Sequence, residues 1–451
     1  MSFLTRIKED PMLSRVLRSS GALFSANTIS LGLSMVQSIL AGRLLGASVF
    51  GLVAIFMSYA STVNGLLSFR MSELVVRYGG EYLEKNEKEK AAALIKAAAL
   101  GEAAVSLLAF LFVAATATLA SQHIAKTPNT EKLFIIYSIG LLANFNAETS
   151  TGVLQMLGKI KYQGIINLVQ SIITAGMITF AFFTHGSLQH VLYAYLAGKV
   201  VLGLGIFVTA VFQLTKKLGN GWWKAKINSI PNIKAITRFA VSSNLSATAI
   251  LVFRESDILW VGYFLTSEAA GYYKAAYGII SLLSVASNPF ILTTYPEINK
   301  LVTQKAWPRL KDFLKKISSI AVVYNLALAA GFVIFGKWLL SLSGEQFVAA
   351  YPVLLALLVG YTFNYILFWN RPLLLSLSLP EFPIYATLIV GLFKLAFSFP
   401  LIPRYGVVAA GALLSFYYIA SVGVMVLRGI KVINPQENIE PQRHKAAKTQ
   451  R

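Results

Sequence analysis

Apolar residues in this chain fall in long blocks, separated by short polar stretches or by breaks marked with proline and glycine. Many blocks reach about twenty residues with few charges, enough to cross a bilayer core as a helix. Backbone in that core must satisfy its own hydrogen bonds, which leaves helices or closed barrels. The alternating segments of about ten residues that a barrel needs are absent. The blocks predict twelve spans: 19–41, 47–69, 93–120, 133–157, 162–184 and 188–213, then 239–262, 268–295, 318–341, 351–370, 381–402 and 405–427. Pro296, Pro352, Pro372, Pro380 and Pro403 sit at or beside span ends, and Pro289 inside the eighth span predicts a kink there.

Composition agrees with a membrane protein. Of the 451 residues 56% are hydrophobic and only 13% charged, and the mean hydropathy is +0.64; soluble chains carry about 25% charged residues. The net charge of +21 would suit a nucleic-acid partner. Its distribution points elsewhere. With the N-terminus inside, the inner segments hold 31 of the 40 lysines and arginines and the outer loops only five: Arg43, Lys126, Lys132, Lys337 and Arg404. That asymmetry places both termini in the cytoplasm and excludes nucleic acid as the reason for the charge. Trp222, Trp223, Trp307 and Trp338 near span ends are expected in the interfacial belts. The mixed basic and apolar stretches 70–92 and 300–316 are expected as amphipathic helices along the inner leaflet.

The chain has no cysteine, which removes disulfides and thiolate chemistry, and its four histidines are not grouped with acids at metal-ligand spacing. No phosphate-binding loop is present, so no cofactor is expected.

The two halves share a layout. A shift of 220 residues lays GRLLGASVFG (42–51) over GYFLTSEAAG (262–271), matching Gly42, Leu45 and Gly51 to Gly262, Leu265 and Gly271. The basic loops EKNEKEKAAALIK (84–96) and TQKAWPRLKDFLK (303–315) fall into register nearby. Six spans per half is an even number, so the repeats enter the membrane in the same sense, a transporter arrangement with an axis along the membrane normal. The expected divisions are a cytoplasmic N-terminal segment (1–18), a first six-helix bundle (19–213), a basic linker (214–238), a second bundle (239–427) and a disordered cytoplasmic tail (428–451).

The stretch RESDILWVGYFLTSEAAGYYKAAYGIISLLSVASNPFILTTYPEINKL (254–301) resembles polysaccharide and O-antigen flippases of the multidrug, oligosaccharidyl-lipid and polysaccharide exporter superfamily. So does LLGASVFGLVAIFMSYASTVNGLLSFRMSELVVRYGG (44–80). The resemblance implies an all-α membrane protein of about twelve helices, in two bundles around a cavity open to one side at a time. It implies a cationic site for an undecaprenyl-diphosphate-linked oligosaccharide and a place in the bacterial inner membrane. The implied partners are that lipid-linked substrate, membrane lipids and other polysaccharide assembly proteins.

Ionisable residues within spans need a partner or a wet cavity. Eight are present: Glu102, Glu148, Lys199, Arg254, Glu255, Asp257, Lys274 and Lys394. Lys199, Arg254, Lys274 and Lys394 are candidate substrate-binding cations, and the competing reading of each is a structural ion pair. Arg254 and Asp257, three apart, can pair with each other, while Glu255 can pair with Lys274 or face the lumen. Two polar stripes at helical spacing suggest cavity walls: Asn144, Glu148, Thr151 and Gln155, and Lys274, Tyr277, Ser281, Ser284 and Asn288. Asn144, Tyr277 and Asn288 therefore join the substrate-binding candidates, with Glu148, Glu255 and Asp257 as candidates for ion coupling. The expected function is inner-to-outer translocation of a lipid-linked oligosaccharide by alternating access. The alternative is an ion-coupled exporter of small molecules with the same architecture. A membrane-embedded glycosyl polymerase or ligase would need a sizeable outer loop, and none is present, so no enzyme is expected.

Overall fold

The computed structural model describes residues 11–68, 70–231, 236 and 252–449, with side chains described outside 11–25, 285–293 and 435–449. All regular structure among them is helical. The chain divides into two units, Met1–Val252 and Phe253–Arg451. Eight helical stretches are long and apolar enough to cross a membrane.

In the first unit, α1 (Pro11–Leu67) carries the first two spans. The loop expected between them is instead a bend at Gly46, whose φ of 72° suits a residue with no Cβ. Short helical pieces Met71–Leu74, Val75–Gly79 and Gly80–Glu84 lead to α2 (Lys88–His123). The fourth span is broken into α3 (Glu131–Ala143) and α4 (Ala147–Met156), and α5 (Lys161–Phe183) and α6 (Leu188–Leu218) complete the unit. In the second unit, α7 (Asp257–Phe264) ends the seventh span, whose residues 239–251 lie outside the described residues. The eighth is α8 (Ser267–Ile280) followed by α9 (Leu282–Thr303), so its interruption falls at Ser281, ahead of Pro289. Then come α10 (Trp307–Ser341), α11 (Tyr351–Ile366), α12 (Asn370–Ser376), α13 (Phe382–Tyr405) and α14 (Val407–Thr449).

The internal repeat is visible in the backbone. Helices starting at Lys88, Glu131, Ala147, Lys161 and Leu188 have counterparts starting at Trp307, Tyr351, Asn370, Phe382 and Val407, which are 219, 220, 223, 221 and 219 residues later. Three left-handed residues recur with them: Asn86 and Lys305, Gly158 and Ser378, His185 and Gly406. The fourth and tenth spans break at the same point of the repeat, at 144–146 and 367–369.

The stretch 300–316, expected as an amphipathic helix along the leaflet, is the end of α9 and the start of α10, and it packs inward: Ile298, Trp307, Leu310 and Leu314 join one buried cluster with Phe368, Trp369 and Leu373. Trp307 is accordingly 5% exposed and not a belt residue, while Trp223 and Trp338, at 50% and 60%, match that role. The backbone of α14 is helical to Thr449, through Pro435 and Pro441. The basic stretch after α6 packs on the first unit: Trp222, Ile227 and Ile230 join the cluster around Tyr82, Leu94 and Leu154, and Lys96 Nζ donates to the Ala225 carbonyl at 3.2 Å.

Candidate functional site

The second unit gathers most of the intramembrane charge. On α13, Gly391 stands one turn before Lys394, and its missing Cβ leaves the space that the Phe253 ring fills. Seating Phe253 there brings its carbonyl oxygen to 2.5 Å from Lys394 Nζ. Asp257, the first residue of α7, offers Oδ1 to the same ammonium at 2.5 Å and accepts the Tyr273 hydroxyl on Oδ2 at 2.8 Å. Lys394 and Asp257 are 3% and 4% exposed, so this is a buried pair with its hydrogen-bonding positions taken up. The expected Arg254–Asp257 pairing is therefore not what forms, because the carboxylate is held by Lys394 and Tyr273.

Arg254 turns to aromatic partners. Its Nε donates to the Tyr418 hydroxyl at 3.0 Å, and the guanidinium carbon lies 5.4 Å from the centroid of that ring. Tyr418 is packed against Tyr361 (4.9 Å between centroids) and Tyr417 (5.6 Å). Tyr361 reaches Tyr277 and Tyr365, and Tyr277 stacks on Tyr273 at an interplanar angle of 19°. Six tyrosines from α8, α11 and α14 thus form one connected cluster that holds a guanidinium.

Helical spacing builds this cluster. Tyr273 and Tyr277 are one turn apart on α8, as are Tyr361 and Tyr365 on α11. At Gly360 a Cβ would overlap the Ser415 backbone, so α11 and α14 approach closely enough for Tyr361 and Tyr418 to meet; the Gly360 N–H donates to Ser415 Oγ at 2.9 Å.

Lys274 is half-buried on α8, one turn before Tyr277, and Glu255 is exposed. Among the described residues no ion pair joins these two, and Lys199, Arg254 and Lys274 make none with a carboxylate. Tyr277, Ser281 and Ser284 are all half-buried, and the two serine hydroxyls bond back to the Gly278 and Ser281 carbonyls. The Asn288 side chain lies outside the described residues.

In the first unit the polar stripe of the fourth span does not form one continuous face, because the helix breaks inside it. Asn144 lies at the break; its Nδ2 donates to the Gly140 carbonyl at 2.7 Å and to the Lys199 carbonyl at 3.2 Å. A Cβ on Gly203 of α6 would run into the Ala143 carbonyl, so the break and that glycine fit each other. Beyond it α4 begins with no cap of its own. The cap comes from α2: Glu102 accepts the Glu148 N–H and the Thr149 N–H, each at 2.8 Å, on its two carboxylate oxygens. A carboxylate at a helix N-terminus satisfies orphan donors and meets the positive end of the dipole. The Glu148 side chain accepts the Ser72 hydroxyl at 2.5 Å, tying α4 to the piece Met71–Leu74. Lys199 is held over the Tyr137 ring, 4.9 Å from its centroid.

The candidates therefore separate. Arg254, Asp257, Lys394 and Tyr277 belong to one constellation and Asn144 touches Lys199, while Glu148 serves the α4 junction. The equal count of acids and bases does not amount to neutralisation, because among the described residues only Lys394 of these cations has an acidic partner. Sequence reasoning missed Tyr137, Tyr273, Tyr361, Tyr365, Tyr417 and Tyr418. The one-turn spacing of 273 with 277 and of 361 with 365 was the signal available.

The chain is 22% identical over 347 residues to the inner membrane protein YghQ of Escherichia coli, covering 76% of this chain and 97% of that one. It is 20% identical over 395 residues to the probable low-salt glycan biosynthesis flippase Agl15 of Haloferax volcanii, covering 87% and 79%. In fold it is similar to an inward-facing multidrug resistance transporter of the MATE family, in the MOP superfamily (TM-score 0.67, 16% identity, 90% and 95% covered). It is also similar to the lipid II flippase MurJ in an inward closed conformation (TM-score 0.66, 16% identity, 91% and 87% covered). The fold is the all-α fold of these membrane transporters. The sequence profile described as polysaccharide biosynthesis protein matches residues 16–302, well over half of the chain, and this protein belongs to that family.

Proposed function

We propose that this protein is a flippase that carries a polyprenyl-diphosphate-linked oligosaccharide from the inner to the outer leaflet of a bacterial inner membrane by alternating access. The observation that carries the reading is Arg254, a guanidinium held by the tyrosine cluster with no acidic partner among the described residues. A planar guanidinium suits bidentate hydrogen bonding to phosphate oxygens. Tyrosine faces and hydroxyls suit the apolar and polar edges of sugars. Lys274, half-buried one turn before Tyr277 in the same unit, adds charge for the diphosphate, and Agl15 and MurJ are named as flippases. An O-antigen or other polysaccharide repeat unit is the proposed glycan.

The test is translocation of a fluorescent polyprenyl-diphosphate oligosaccharide in proteoliposomes, comparing wild type with Arg254→Ala, Lys199→Ala and Lys274→Ala. Wild-type transport, with at least a tenfold loss in Arg254→Ala and no loss of thermal stability, is the expected result. The similarity to a MATE transporter gives the alternative its footing. Ion-driven efflux of small cations without lipid translocation would replace the flippase reading with it.

A further inference from the structure

At the inner end of the first unit lies a cavity of about 600 Å³ lined by Lys159, Gln213, Lys216 and Lys217, with Glu84 and the apolar Met156 among its other walls. The fold places each group. The end of α4 closes in a Schellman turn: the Lys159 N–H reaches the Leu154 carbonyl at 2.7 Å and the Gly158 N–H the Gln155 carbonyl at 2.9 Å, with Gly158 at φ 66°. This turn sets Lys159 at the rim. Lys216 and Lys217 come from the last turn of α6. Met156 forms the floor because Gly79 has no side chain; a Cβ there would stand 3.0 Å from its sulfur. All three lysines are exposed, and none makes an ion pair among the described residues.

Two basic residues at a helix C-terminus would ordinarily be explained by the helix dipole. The internal repeat argues that more is involved. The second unit builds the same turn after α12, with the Leu379 N–H on the Leu374 carbonyl at 2.9 Å and Ser378 at φ 60°. Leu379 stands at the counterpart of Lys159, and the turn forms with it. Lys159 therefore answers to something other than that turn, and it shares the cavity with Lys216 and Lys217.

We propose that this cavity is a binding site for the phosphate head group of an anionic phospholipid of the surrounding leaflet. Its depth fits. Trp222 Nε1 donates to Thr215 Oγ1 at 3.3 Å, one residue before Lys216, and Trp223 is half exposed beside it; tryptophans of this kind settle at head-group level. Lys216 Nζ lies 4.1 Å from the Phe212 ring centroid, and Phe212 and Val208 continue up α6 as exposed apolar surface for the acyl chains. Basic pockets between helix ends on the inner side are suited to such head groups. Three ammonium groups against one carboxylate, Glu84, leave a net charge that favours a doubly charged head group such as cardiolipin.

The test uses the full chain in a neutral detergent, with cardiolipin or phosphatidylcholine added and binding read by native mass spectrometry and thermal unfolding. Wild type should bind cardiolipin and gain thermal stability, with no gain from phosphatidylcholine. The triple variant Lys159→Gln, Lys216→Gln, Lys217→Gln should bind cardiolipin about a hundredfold more weakly, at roughly fivefold per lysine. A charge-matched control, Lys300→Gln, Lys305→Gln, Lys315→Gln, should bind as wild type. Lys216→Gln alone, with a severalfold loss, serves if the triple variant fails to fold. Equal losses in both triple variants would mean diffuse attraction and overturn the proposal. Displacement of cardiolipin by millimolar pyrophosphate, or by polyprenyl diphosphate in preference to it, would assign the cavity to a diphosphate and overturn the phospholipid assignment.

Discussion

The ammonium of Lys394 lies 2.5 Å from a carboxylate oxygen of Asp257, 137 residues away in sequence, and neither residue is more than 4% exposed. Breaking a buried pair from one side leaves the other charge stranded, at a cost of about 3–5 kcal/mol. Lys394→Met should therefore lower the unfolding temperature and the yield of folded protein. Asp257→Asn combined with Lys394→Met should recover much of the loss. A single variant as stable as wild type in a thermal unfolding assay would remove the structural role given to this pair.

That pair shows where the sequence was legible. Asp257 and Lys394 were both visible as unusual charges in apolar spans, and the pattern of apolar blocks predicted the helices that carry them. Their partnership was not visible, since α7 and α13 are distant in sequence and no local spacing links them. Arg254, three residues from Asp257, offered a local partner that the fold declines. The breaks at 144–146 and 367–369 escaped notice because neither Asn-Phe-Asn nor Leu-Phe-Trp contains a proline or glycine. What breaks the fourth span is packing at Gly203, not a proline. Phe253 against Gly391 is a second case in which a glycine's close approach decides the site without a sequence signature.

Arg254 and Tyr418 should respond differently to mutation. Tyr418→Phe keeps the ring face under the guanidinium and loses only the hydroxyl, whereas Tyr418→Ala loses both. A cation over an aromatic ring contributes about 0.5–2 kcal/mol. Transport in proteoliposomes is expected to fall modestly in the phenylalanine variant and at least tenfold in the alanine variant. Equal rates in the two would show that the ring is not what positions Arg254.

Glu102 should matter to stability and Glu148 to coupling. Glu102→Ala removes the acceptor for two N–H groups at the start of α4, a loss of about 1–2 kcal/mol that a thermal shift can read. Glu148→Gln retains an oxygen for the Ser72 hydroxyl, so stability is expected to hold. With Glu148 as the coupling residue, the same variant should flatten the pH dependence of the rate. An unchanged pH profile would remove Glu148 from the coupling candidates.

The left-handed turns offer a further check. Ser378 and Lys305 hold φ values of 60° and 54°, which glycine adopts more readily. Ser378→Gly and Lys305→Gly should leave stability unchanged or raise it by about 1 kcal/mol, while Gly158→Ala should lower it by a similar amount. Destabilisation by Ser378→Gly would show that its side chain supports the turn in a way the backbone alone does not.

Those turns also bear on ancestry. Inserting one residue into a helix rotates everything after it by about 100°, so helix lengths resist change even while side chains are replaced. Turn positions that recur 219 to 221 residues apart, two of the three with glycine in one copy only, are what a duplication in tandem leaves behind. Two copies in register need not do the same work: the first carries lysines at the rim of a cavity, and the second a tyrosine-held arginine in its interior.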